Sequence, residues 1–99
     1  MEKQKTVKEM AFVLTELSTR TLLEQMAEEA AEVSQAALKL IRARGNGNPT
    51  PMDAEDAWEW LEEEMSDLFM CATLLNLDLL EPLDNPKWER WAERIRRGV

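Results

Sequence analysis

Glu28-Glu29-Ala30-Ala31-Glu32 and, thirty-five residues on, Glu63-Glu64-Met65-Ser66-Asp67 are built alike: two adjacent acids, then a third three positions after the second. On an α-helix each residue advances about 100°, so relative to Glu29 the side chain of Glu32 lies at about −60° and that of Glu28 at about −100°. On the same count Leu22, Met26, Ala30, Val33, Ala37 and Leu40 fall between about +20° and +100°. Counted from Glu64, Asp67 again lies at about −60°, with Leu61, Met65, Leu68, Ala72 and Leu75 between about +20° and +100°. Both segments therefore carry their acids at one azimuth, along the same edge of an apolar stripe.

The flanking sequence punctuates these stripes into helices. Val7, Met10, Leu14 and Leu17 have helical spacing and predict a short first helix over residues 6–17. Ser18 to Thr21 offer cap residues, and a second helix is expected over 22–44 with an Ala-rich interior of high helix propensity. Gly45 suits the position just past its end, and the loop 46–51, with Pro49 and Pro51, cannot continue it. Asp53 is a natural N-cap for a third helix running from about residue 54 to about residue 80. Asn85-Pro86 then opens a last helix over 86–97. No stretch alternates with the period of a strand. The expectation is a single all-α domain over residues 1–99, two long antiparallel helices with short N- and C-terminal ones.

Composition narrows the function classes. The chain has 99 residues, 44% of them hydrophobic and 32% charged, with three Gly and four Pro, which favours a folded helical domain. A net charge of −8 argues against nucleic acid or an anionic membrane as partner, because both select basic surfaces. Cys71 is the sole cysteine and sits in the apolar run 68–75, so no internal disulfide can form and a cytoplasmic location is expected. That run is far short of the roughly 20 residues that span a bilayer, and no signal peptide is read at the start.

Glutamate pairs on helices are mostly solvated surface. Here like charges one turn apart, unfavourable by about 0.2–0.5 kcal/mol per pair, occur twice. The acids also border the stripe rather than oppose it, where a carboxylate is unfavourable unless compensated. Packing the two stripes would gather Glu29, Glu32, Glu64 and Asp67 at one seam, where cations are needed to offset repulsion. With no histidine in the chain, zinc sites of Cys and His and di-iron sites of the Glu-x-x-His type are excluded. Oxygen ligands alone suit Mg²⁺, with Mn²⁺ or Ca²⁺ possible, and Mg²⁺ commonly completes its shell with substrate phosphates.

Glu-x-x-Glu at 29–32 and Glu-x-x-Asp at 64–67, on consecutive long helices, resemble the MazG-like, all-α nucleoside triphosphate pyrophosphohydrolase superfamily. The resemblance runs from about residue 22 to residue 97. It takes in Ala36, Ala37 and Lys39, the loop 46–51, and the series Lys87, Arg90, Trp91 and Arg94, and is similar to short single-domain members found in phages and bacteria. It implies a MazG-like helical bundle whose four-helix core is completed by oligomerisation. It also implies hydrolysis between the α and β phosphates of a nucleotide, releasing the monophosphate and pyrophosphate in a pool-cleaning role. In the family, positions matching Glu29, Glu32, Glu64 and Asp67 hold Mg²⁺, and Glu28 or Glu63 is the candidate general base. Phosphoribosyl-ATP pyrophosphohydrolase is the enzymatic alternative, and a non-catalytic helical interaction module is the alternative of another class.

Candidate substrate contacts follow from position. Lys39, at about −80° on the first motif's helix, shares the acidic face, and Trp60, at about −40° on the second, lies one turn before Glu64. Trp60 could stack on a base or pack against a neighbouring subunit. Asn76, at about +120°, falls in the apolar sector expected for the third helix and should need a polar partner. Lys87, Arg90 and Arg94 form a basic face on the last helix, while Trp58, Trp88, Trp91 and Ile95 read as core. Two extended apolar stripes in so short a chain predict a homodimer or homotetramer with sites near subunit boundaries.

Overall fold

The computed structural model describes residues 2–98, which contain helix and no strand. The order is α1 (Glu2–Glu16), α2 (Thr19–Ala43), α3 (Ala54–Leu74), a 3₁₀ turn (Pro82–Asp84) and α4 (Lys87–Arg97). The two long helices form the one extensive helix–helix contact among the described residues. Arg44 lies over Trp58 and Lys39 over Trp60, while Glu29 meets Glu64 and Asp67, so ascending α3 descends α2 and the pair is antiparallel.

Local chemistry sets the ends. Ser18 caps α2 by accepting a hydrogen bond from the Thr21 N–H, and Asp53 caps α3 through the Asp56 N–H at 2.9 Å. Gly45, at φ +86°, closes α2, its N–H donating to the Arg42 carbonyl and that of Asn46 to Ile41. The third helix departs from expectation. It stops at Leu74, not near residue 80, because Asn76 takes the left-handed conformation at φ 55°. The Asn76 N–H then donates to Thr73 and the Leu77 N–H to Ala72, which caps the last carbonyls of α3. Asn76 is exposed and past the helix end, so it is not an amide buried within α3's apolar sector. The first helix begins earlier than expected, through Glu2 to Lys5, all good helix formers.

The buried residues are Leu22, Ala36, Leu40, Ala57, Cys71 and Ala72, all on α2 and α3. Ala36 and Ala57 are fully covered, so the Ala-rich sequence lets the two backbones approach closely. Ala36 and Cys71 each stand seven residues after Glu29 and Glu64. They lie at about −20° on the helical count, which shifts the seam toward the acids. Trp58, Trp88, Trp91 and Ile95, expected in the core, are half to mostly exposed, because α4 does not pack extensively on α2 or α3.

One chain thus leaves much apolar surface uncovered. Its accessible area is 8466 Å², whereas a compact monomer of this mass exposes about 5,800 Å². Its radius of gyration is 17.5 Å, against about 13 Å for a compact chain of this length. No helix among the described residues is long and apolar enough to cross a membrane.

Candidate metal centre

The carboxylates of Glu29, Glu64 and Asp67 converge between α2 and α3, with one oxygen from each within 4.8 Å of the others. Glu29 and Glu64 are half-buried at the seam edge and Asp67 is exposed, which leaves the cluster open on one side.

Each half-buried glutamate is held by a residue one turn earlier on its own helix. The Gln25 Nε2 donates to Glu29 Oε1 at 2.9 Å, and the Trp60 indole N–H donates to Glu64 Oε1 at 2.8 Å. Gln25 and Trp60 are themselves thirty-five residues apart, so the repeat seen in the acids extends to the groups that orient them. The second oxygen of each, Glu29 Oε2 and Glu64 Oε2, is buried and without a hydrogen-bond partner while the neighbouring acids are ionised. Among the described residues the other such side-chain atom is Arg42 Nε. Buried oxygens of this kind are costly, by about 1–3 kcal/mol or more when charged. No Lys or Arg forms an ion pair with the three acids among the described residues. Two half-buried glutamates, each with an unpartnered carboxylate oxygen, joined with Asp67 in an open, oxygen-only cluster fit a hard divalent cation.

Glu32 is exposed and outside the three-acid group, yet it feels it. Its carboxyl is raised above the ordinary value, first by hydrogen bonding with Glu64 and then by the negative charges of Glu29 and Glu64. The sign follows directly. The folded chain holds this proton more tightly than the unfolded one, so the favourable linkage is complete below the unfolded carboxyl's value and is lost as pH rises through the raised folded value. In chelator-treated protein, wild type is expected to lose melting temperature relative to Glu32→Gln as pH rises from 4 to 7. Parallel melting curves across that range would contradict the coupling.

Lys39 and Trp60 are brought to the site together, the Lys39 Nζ lying 5.4 Å from the centre of the Trp60 ring. Glu28 and Glu63 are exposed, and Glu63 lines a shallow hollow with Glu59, Glu62, Ser66 and Asp67. Lys87, Arg90 and Arg94 lie on α4, which has no extensive contact with the two long helices, and Asn76 lies on the turn after α3. The arrangement therefore unites Glu29, Glu64, Asp67, Trp60 and Lys39, with Glu32 at its edge. Gln25 was not singled out from the sequence, and its equal offset from Glu29 is the signal that could have found it. Cys71 packs beneath as core, its thiol raised by burial and by the nearby Glu29 and Asp67 charges.

Comparison with protein-family models, with curated proteins and with solved structures finds no match to this chain.

Proposed function

We propose that this chain is a Mg²⁺-dependent nucleotide pyrophosphohydrolase, cleaving between the α and β phosphates of a nucleoside triphosphate to give the monophosphate and pyrophosphate. The observation that carries the reading is that Glu29 and Glu64, each with a buried carboxylate oxygen lacking a hydrogen-bond partner, form one cluster with Asp67. Glu29, Glu64 and Asp67 would hold the ion, with Glu32 as a fourth carboxylate at the edge. Bound Mg²⁺, or Mn²⁺ in its place, polarises phosphate oxygens and acidifies water.

The chain's own residues supply the rest. Gln25 and Trp60 keep the two half-buried carboxylates turned toward the seam. Lys39, beside Trp60, offers a cation to a phosphate oxygen, and the Trp60 ring face offers a base a stacking surface. Glu63, exposed on the same hollow as Asp67, or Glu28 on α2 would take the proton from an attacking water. The excess surface of about 2,700 Å² per chain over a compact monomer supports a homodimer as the working assembly.

The test is pyrophosphate release from a panel of canonical and modified nucleoside triphosphates, with Mg²⁺ and with chelator. Release with Mg²⁺ only, together with the monophosphate, is expected. Absence of release across the panel, in protein that binds Mn²⁺, would leave a helical module without turnover.

A further inference from the structure

The apolar residues left exposed on α3 and α4 are each bordered by a row of charge, and the two rows are opposite in sign. Every charged residue of α3 is acidic, whereas α4 is predominantly basic. On α3, Trp58, Met65 and Phe69 form an exposed ridge at about 100–140° from Glu64, and Glu55, Glu59 and Glu62 follow at about 160–220°. On α4, counted from Lys87, Trp88, Trp91 and Ile95 form an exposed ridge at about 40–100°, and Lys87, Arg90 and Arg94 precede it at about −60° to 0°. The Trp88 and Trp91 rings are stacked with centroids 6.1 Å apart, and the Trp88 indole N–H donates to the Pro82 carbonyl, so the α4 ridge is braced by contacts within its own segment.

From these two faces we infer that α4 of one chain docks on α3 of a second copy, ridge on ridge, with Lys87, Arg90 and Arg94 beside Glu55, Glu59 and Glu62. The inference rests on the homodimer reading above and names the surfaces that form it. The spacing agrees, the acids standing at i, i+4, i+7 and the cations at i, i+3, i+7, so both rows advance one turn at a time.

Handedness selects a second copy over the same chain. Going from ridge to charge, azimuth increases on α3 and decreases on α4. Two facing helices bring such rows to the same side only when they run parallel. A direct return through residues 75–86 would lay α4 antiparallel on its own α3, with the cations on the far side of the ridge from the acids. The uncovered surface of the chain as a whole is on the scale of the roughly 2,000–5,000 Å² that stable obligate dimers bury in total.

Two charge-reversed chains test this. One carries Glu59→Arg and Glu62→Arg, the other Arg90→Glu and Arg94→Glu. Wild type is expected to sediment at twice the chain mass at micromolar concentration. Each variant alone should show a dimer dissociation constant raised at least tenfold, with helicity by circular dichroism unchanged. Mixed in equal amounts, the two should regain wild-type affinity, since the mixed dimer pairs opposite charges at both contacts. A monomeric wild type would overturn the homodimer reading and this inference with it. A dimeric wild type whose variants still pair normally would overturn the inference alone, as would a mixture no tighter than either variant. Rescue only when all four substitutions share one chain would place the contact within a chain and overturn it too.

Discussion

Glu64→Gln is expected to reduce Mg²⁺-dependent pyrophosphate release at least a hundredfold while raising the melting temperature of the metal-free protein. The two effects have one origin. Glu64 Oε1 is fixed by the Trp60 N–H and Oε2 is buried without a hydrogen-bond partner, as is Oε2 of Glu29, a carboxylate of the same cluster. An amide keeps the first bond through its carbonyl and places an NH₂ where the second oxygen stood, which puts a donor into the carboxylate cluster. Supplying a partner to a buried acceptor contributes about 1 kcal/mol, which moves the melting point of a domain this size by about 4–8 °C. The same change removes the charge a divalent cation requires. Outer-sphere substitutions weaken metal sites by about 10–100-fold, and a direct ligand should exceed that. Differential scanning calorimetry with and without chelator, beside the pyrophosphate assay, gives both readings. An active variant, or one melting below wild type without metal, would mean that these oxygens do not face a cation.

Trp60→Phe should lower divalent-ion affinity by about 10–100-fold, the range for loss of a group that orients a ligand. Phenylalanine keeps an aromatic face for Lys39 but lacks the N–H that holds Glu64 Oε1. If Trp60 served the substrate alone, metal affinity would be unchanged and only the Michaelis constant would rise. Titration with Mn²⁺, followed by its electron paramagnetic resonance signal, separates these outcomes without turnover. The matching change Gln25→Leu should act in the same direction through Glu29.

Helical period carried much of this structure from the outset. The common azimuth of Glu29 with Glu32 and of Glu64 with Asp67 depends only on residue spacing, and the seam brings Glu29, Glu64 and Asp67 together, while Glu32, expected with them, stays exposed outside the group. Caps were legible for the same reason, Ser18, Gly45 and Asp53 acting through their own backbone neighbourhood. The end of α3 was not. Residues 74–80 are rich in leucine and read as continuing helix, and only the left-handed turn at Asn76, a conformation asparagine tolerates, interrupts them.

Burial of α4 was misread for a different reason. Trp88, Trp91 and Ile95 have the period of a covered face, but period says nothing about what covers it, and the same chain does not. Trp60 was placed correctly on the acids' side. Its role as a donor to Glu64 depends on the rotamer the seam imposes, which spacing alone does not convey.

A crystal of the protein grown with Mn²⁺ bears most directly on the central claim, through an anomalous difference map. The expected result is a peak at bonding distance from Glu29 Oε2 and Glu64 Oε2, with Asp67 turned toward it. Strong peaks elsewhere with none between α2 and α3, or those two oxygens paired with protein donors in the crystal, would contradict the account.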